Sequence, residues 1–337
     1  MAFSHIIKNK TYDKLGDVML KKMMYRKIVV VSSILIVMLM LYLIPDNNKV
    51  KVQEKLEYVY PNDMEVVYLL DEYDNLSRVS MSVFGDDILD KVNNLLDILT
   101  ISGKRHDIIP NGFRPLIPKG CRVIDANLNN GVLIINFSKE FYNVDKDNEE
   151  KLIETLVYTL TSIDGIDKIK IKVDSNDLLE LPNSKKKMPE YLDKSYGINK
   201  EYELTSLSDV DSYTVYYVLN YNDDIYYTPV TKYINNSKQD KVKVIIDELA
   251  TSITYQSNLM SYLDSQVKLL DYEIGDDSVR LNFNEMILSD IANNVILEEV
   301  MYTIGLSICD EFMVDSVIFE VDNKEISTFS LKTLEKY

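Results

Sequence analysis

The residues able to do chemistry are few and poorly grouped. The chain has two histidines, His5 and His106, and two cysteines, Cys121 and Cys309. A Ser-His-Asp or Cys-His centre would have to use His106, which lies in a polar loop with no accompanying G-x-S-x-G sequence. The cysteines lack metal-ligand spacing, so neither a zinc site nor a disulfide framework is expected; near a strand start and a helix end they read as buried thiols. Asp145, Asp147 and Glu149 begin with calcium-loop spacing, but Glu150 stands where that loop needs Gly and Leu156 where it needs a bidentate Glu. Carboxylates just before a helix complement its dipole instead. Asp pairs at 86–87, 223–224 and 276–277 fall at turns, where Asp bonds its own backbone. No Gly-rich phosphate loop is present. The expectation is therefore no catalytic, cofactor-binding or metal-binding residue and no cofactor. The enzymatic alternative is a cell-envelope hydrolase or wall-binding protein with paired carboxylates, whose ~5–9 Å separation a sequence does not fix.

The elements that would position any site are duplicated. Val132–Leu160 reads V-L-I-I-N-F-S-K-E-F, then E-E-K-L-I-E-T-L-V-Y-T-L; Val279–Ile304 reads V-R-L-N-F-N-E-M-I, then I-L-E-E-V-M-Y-T-I. Leu133, Ile135 and Phe137 match Val279, Leu281 and Phe283 at strand period. Ile153, Leu156, Val157 and Leu160 match Leu297, Val300, Met301 and Ile304 at helix period. That alignment superposes Tyr158-Thr159 on Tyr302-Thr303, both on a buried stripe. The second copy keeps no titratable set suited to catalysis, so what is repeated is a packing unit.

Around this unit the periodicity predicts β-β-α-β-β-α-β twice. The first copy has strands at Val66–Leu70 and Val79–Val83, then a helix whose stripe is Ile88, Val92, Leu95, Leu96 and Leu99. A strand at Ile124–Leu128 turns through Asn129–Gly131 into Val132–Phe137. A helix over Glu149–Ile163 and a strand over Lys168–Val173 close it, with Ile169, Ile171 and Val173 inward and Lys168, Lys170 and Lys172 outward. The second copy restarts at Tyr213, with Val215–Leu219 matched to Val66–Leu70. Its further elements are Tyr226–Tyr233, a helix from Val242 to Ile253, Val267–Tyr272, Val279–Phe283, a helix over Val295–Ile308, and Val317–Val321. This predicts an α+β fold with the helices of each domain packed on one sheet face. The domains span 63–178 and 211–326, joined by a polar linker at 179–210 whose Lys185–Lys187 run reads as a solvated loop. A C-terminal tail covers 327–337.

The N-terminal part is of another kind. Residues 1–27 carry seven Lys or Arg against Asp13 and Asp17, and Ile28–Ile44 has no charge at all. Those seventeen residues reach about 25 Å as a helix, near the lower limit for a membrane span. The exit, Tyr42-Leu43-Ile44-Pro45-Asp46, lacks the small residues of a cleavage site. The expectation is a retained single-pass anchor with a cytoplasmic tail (1–27), a stalk (45–62) and extracytoplasmic domains. A net charge of −17 argues against a nucleic-acid partner, which would require a basic face.

The tandem units resemble GerMN domains. The resemblance rests on the V-Y-L-L and V-Y-Y-V-L openings, T-P-V-T at Thr228–Thr231 and I-I-D-E-L at Ile245–Leu249. It continues through V-L-I-I-N-F-S-K-E-F, L-V-Y-T-L-T-S-I and I-K-V-D at Ile171–Asp174, covering Met64–Asp174 and Tyr213–Asp322. It implies a ring-building-motif-like fold and a membrane-tethered, non-enzymatic assembly protein of sporulation or germination. The partners it implies are the membrane, through Ile28–Ile44, other envelope or sporulation-complex proteins, and a second copy of itself. The family's sporulation member resembles a lipoprotein, whereas here a hydrophobic stretch with no Cys at its end would serve as the anchor.

Overall fold

The computed structural model describes residues 24–27, 29, 32, 33, 35 and 38, then 64–331 apart from 223, 236–238 and 252–257. The chain divides into two compact units, Met1–Tyr58 and Val59–Tyr337. In the first, the described residues are helical, and the Ser32 hydroxyl donates to the Val29 carbonyl at 3.0 Å. Among the described residues no helix is long and apolar enough to cross a membrane; most of Ile28–Ile44 and the 45–62 segment lie outside them, as does Ile253.

The second unit is α+β. Its first domain contains β1 (Met64–Leu70), β2 (Leu76–Ser82), α1 (Ile88–Ile98), β3 (Val123–Asn129), β4 (Val132–Phe137), α2 (Glu149–Leu160), β5 (Lys168–Val173) and β6 (Asn176–Asp177). Asp87 starts α1 by accepting the Asp90 amide at 2.8 Å. Asn130 and Gly131 turn β3 into β4 with φ of 47° and 75°, the positive pair that a type I′ hairpin needs. After β7 (Glu201–Glu203), the second domain contains β8 (Val210–Tyr221), β9 (Asp224–Asn235), α3 (Lys241–Thr251), β10 (Leu259–Met260), β11 (Leu269–Ile274) and β12 (Ser278–Phe283). It ends with β13 (Leu288–Asp290), β14 (Val295–Ile296), α4 (Glu298–Phe312), β15 (Ser316–Val321) and β16 (Lys324–Ser330). In each domain the last helix crosses between two parallel strands, β4 to β5 and β12 to β15.

The architecture departs from one sheet per domain. Each domain keeps a four-stranded sheet, β3-β4-β5-β6 or β11-β12-β15-β16, and gives its first hairpin to a shared sheet ordered β1-β2-β9-β8-β10. The two hairpins meet antiparallel at Arg78 and Tyr227. Two edges that periodicity leaves unassigned thereby meet at this one pair.

The linker is no free connector. Leu181, Met188, Leu192 and Ile198 are buried in the first domain's core, and β7 pairs parallel with β9. Residues 327–330 are likewise structured: β16 pairs with β15 and buries Phe329. Lys170, expected outward, is only 8 % exposed. The linker's fold covers it, and its ammonium meets Asp177 at 2.9 Å and Glu190 at 2.5 Å.

Hydrogen bonding also corrects the register of the repeat. The Tyr68 amide donates to the Thr159 hydroxyl at 3.0 Å, and the Tyr216 amide donates to the Ser307 hydroxyl at 2.9 Å. Tyr68 therefore corresponds to Tyr216, one residue from the alignment of Val66–Leu70 on Val215–Leu219. Thr159 corresponds to Ser307, one helical turn beyond Thr303. An apolar stripe repeats every turn, so its spacing alone allows a four-residue slip. Thr159→Val and Ser307→Ala should each cost about 1–3 kcal/mol, because each strands a strand amide. Thr303→Ala should cost less, since its hydroxyl bonds only Glu299 and Val300 of its own helix. Urea unfolding of the three variants checks the register, and a costlier Thr303 variant would refute it.

Candidate functional site

The two hairpins and the two crossover helices meet around a polar cluster and an adjoining cleft. Tyr68 on β1 and Tyr216 on β8 lean towards each other over the two inner strands, and their hydroxyls hydrogen-bond at 2.9 Å. Tyr216 donates onward to the Asp310 carboxylate of α4. Lys194, from the linker, closes an ion pair with Asp310 at 2.6 Å. Tyr158 of α2 donates to the Lys194 carbonyl at 3.0 Å and sets its ring edge-on to Tyr68 at 5.4 Å.

Burial and then the Asp310 charge push the Tyr68, Tyr158 and Tyr216 hydroxyls up. Burial alone would depress Lys194, but Asp310 outweighs it and holds the ammonium above its ordinary value. The cluster is thus a charged pair wrapped in phenols that stay protonated. It offers no poised base or nucleophile; what it does is fasten α4, the linker and both hairpins to one point.

Beside it opens a cleft of about 660 Å³, whose lining includes Val66, Arg78, Ser80, Asp86, Asp87 and Asp164. The Arg78 guanidinium donates to the Ser80 hydroxyl at 3.3 Å. Asp87 is already engaged as the α1 cap, while Glu65 on the wall pairs with Lys91 at 2.5 Å.

A second cluster holds the linker against the first domain. Asn199 accepts the Leu76 amide at 2.9 Å and donates to the carbonyls of Leu76 at 2.8 Å and Pro229 at 2.7 Å. Its own amide donates to Glu154 at 2.9 Å. Lys200 reaches Glu150 at 2.8 Å and Glu154 at 3.2 Å and lies over the Tyr196 ring, 3.6 Å from its centroid. Burial raises the Glu154 carboxyl even so.

The residues singled out from the sequence scatter. His106 is exposed on a short turn. Cys121 and Cys309 are both buried, and desolvation pushes their thiols up to about 11 and about 12, unreactive values. Among the described residues no group of His, Cys, Asp and Glu could hold a metal ion. Of the calcium-like trio, Glu149 is engaged elsewhere. It accepts the amides of Asn183 at 2.6 Å and Ser184 at 2.9 Å, pinning the linker's lysine loop. Within that loop Lys186 pairs with Glu150. Tyr158 joins the central cluster, whereas Tyr302 stacks on Tyr227 at 5.3 Å. Arg78, Lys194, Asn199 and Asp310 escaped the sequence reading. The asymmetry between Asp310 and its counterpart Ser162 would have been the signal, had the repeat been aligned in register.

Glu149 gives the linker a pH limit. Burial raises its carboxyl, but the hydrogen bonds from Ser184 and Asn183 outweigh this and hold it below the ordinary 4.5. A depressed folded value means the stabilisation is complete above about pH 4.5 and is lost as pH falls through the folded value. Hydrogen exchange should show the Asn183 and Ser184 amides losing protection together below pH 4.5, and Glu149→Gln should flatten that dependence.

The family described as Germane, sporulation and spore germination, matches residues 66–179 and 214–327, the two domains of the second unit. The chain belongs to the Germane family. It is 34 % identical over 233 residues to the spore germination protein GerM of Bacillus subtilis (strain 168), covering 68 % of this chain and 64 % of that protein. The match thus spans less than two thirds of the relative's length. The structure of the tandem GerMN domains of the sporulation protein GerM from Bacillus subtilis superposes with a TM-score of 0.71 at 31 % identity, covering 77 % of this chain and 91 % of that one. Two Germane domains in tandem are therefore what Val59–Tyr337 contains, and the cleft lies where they join.

Proposed function

We propose that this Germane protein is a membrane-anchored, extracytoplasmic scaffold of sporulation or spore germination that works through protein contacts rather than catalysis. The observation that carries the reading is the fusion of its two domains. One sheet spans both, and Asp310, Lys194 and Tyr216 at their junction fasten one domain to the other. A catalytic junction would keep a titratable group poised for a substrate; this one keeps its phenols protonated and its lysine charged. The anchor is assigned to Ile28–Ile44 and the cytoplasmic side to the basic residues before it.

The test is protease protection of the full chain in right-side-out and inverted vesicles, followed by crosslinking in intact cells. Resistance to carbonate extraction, cleavage of the domains from the outer side only, and crosslinks to envelope proteins are expected. Release by carbonate, or a monomer with no envelope contact at any stage of spore development, would overturn the proposal.

A further inference from the structure

The domains are joined about a pseudo-two-fold axis, and the surroundings of the two hairpins differ in one respect. In the shared sheet β2 and β9 meet in the middle, with β1 on the far side of β2 and β8 on the far side of β9. The registers place Ser80 opposite Val66 and Thr231 opposite Thr214, so that Ser80 and Thr231 are counterparts, as are Arg78 and Pro229. On the second hairpin, an extended piece of the linker occupies this place. Thr231 donates its amide to the Ile198 carbonyl at 2.9 Å, and the Ile198 amide donates to the Thr231 hydroxyl at 2.9 Å. Beyond it, Glu201–Glu203 run parallel to Lys232–Ile234.

On the first hairpin the corresponding place is the cleft. The Tyr68 amide goes to Thr159, away from β2, so Tyr68 and Arg78 exchange no ladder bonds. By the alternation of an antiparallel pair, Arg78, Ser80 and Ser82 then turn their amides and carbonyls away from β1. Among the described residues the only strand pairing along that edge of β2 is Arg78 with Tyr227. Among the described residues the buried Ser82 hydroxyl has no hydrogen-bond partner.

We propose that the cleft and the Ser80–Ser82 edge of β2 take an extended, lysine-bearing segment of a partner protein, laid parallel to β2 as the linker is laid parallel to β9. The occupied counterpart supplies the geometry. Charge supplies the chemistry: the cleft is lined by six carboxylates, Glu65, Asp86, Asp87, Asp164, Asp310 and Asp315, against the three cations Arg78, Lys91 and Lys194, and the linker itself is seated by Lys194 on Asp310 and Lys200 on Glu150 and Glu154. Main-chain bonds to an open edge give affinity, and side-chain pockets give selectivity. The inference rests on the scaffold reading and names the kind of segment such a scaffold would hold.

The probe is a fluorescent synthetic peptide with the linker's own sequence, residues 192–203, titrated into the detergent-solubilised full chain. Saturable binding is expected, with slowed hydrogen exchange at the Ser80 and Ser82 amides. Ser80→Pro removes an outward amide that β1 does not use; it should weaken binding at least tenfold with an unchanged melting temperature. Should that variant misfold, Asp86→Lys with Asp164→Lys, which leaves the backbone intact, should weaken it several-fold. Binding with no protection at Ser80 and Ser82, or binding indifferent to these changes, would overturn the proposal. So would an edge already protected in the full chain and released by deleting residues 332–337, since the chain would then fill its own cleft. The two readings fail separately. Envelope crosslinks in cells with no peptide binding would sink the cleft assignment alone, whereas peptide binding with no crosslinks would sink the scaffold alone.

Discussion

Asn199→Ala is expected to lower the stability of the tandem unit by about 3 kcal/mol, as large an effect as any single linker residue should have. The side chain satisfies both main-chain groups of Leu76 on β2 and the Pro229 carbonyl on β9, bridging the two hairpins beside their one ladder contact. Alanine leaves all three without that partner. It also has to adopt Asn199's left-handed backbone, φ 46°, which Asn tolerates and Ala does not. Two further variants separate these causes. Asn199→Asp keeps the acceptor and should fall between wild type and alanine. Asn199→Gly keeps the backbone freedom but no bonds, and should lie within about 1 kcal/mol of alanine. Hydrogen exchange should report loss of protection at Leu76 and Thr231 together, because the Asn199 segment also carries Ile198, the partner of Thr231. A loss below about 1 kcal/mol by urea unfolding would mean that the shared sheet does not depend on this clamp.

Gly305→Val should cost about 3 kcal/mol or more, although valine is what the first domain has at the equivalent position, Val157. A Cβ on Gly305 would stand 2.4 Å from the Phe329 ring, closer than any carbon contact allows. Phe329 is 2 % exposed and sets its ring edge-on to Tyr302 at 5.4 Å, so it has nowhere to retreat without taking β16 along. The double variant is the informative one. Phe329→Ala alone should cost about 3–4 kcal/mol by emptying the core. Adding Gly305→Val should then cost little, because valine refills part of the space. A favourable coupling above about 1 kcal/mol in that cycle is the expected result. Simple additivity would show that the glycine is not there to admit the ring.

The sequence by itself determined the elements. Alternation at Leu133, Ile135 and Phe137, and again at Val279, Leu281 and Phe283, fixed two strands whose inward residues are all buried. The Asn130-Gly131 turn and most of the helical stripes followed from local chemistry, which acts over four or five residues, although Ile88 and Leu297, placed on those stripes, are exposed. The α+β class and the tandem duplication were legible for the same reason, whereas β6, β7, β10, β13, β14 and β16 lie outside the expected order β-β-α-β-β-α-β.

What periodicity could not say is which partner an apolar face or a strand edge would choose. A strand edge is main chain and carries no sequence of its own. That the first hairpins would leave their own domains and pair across a pseudo-two-fold axis therefore became visible only in three dimensions. The same blindness shifted the repeat by one residue in the strand and one turn in the helix, because apolar spacing recurs each turn; only the Thr159 and Ser307 hydroxyls, meeting strand amides, mark the true register. It also read residues 179–210 only as a polar linker, because their anchors are single residues a few positions apart, while the Lys185–Lys187 run is exposed as expected. Lys194, Asn199 and Lys200 acquire their meaning from Asp310, Leu76 and Glu154, which folding alone brings within hydrogen-bond reach.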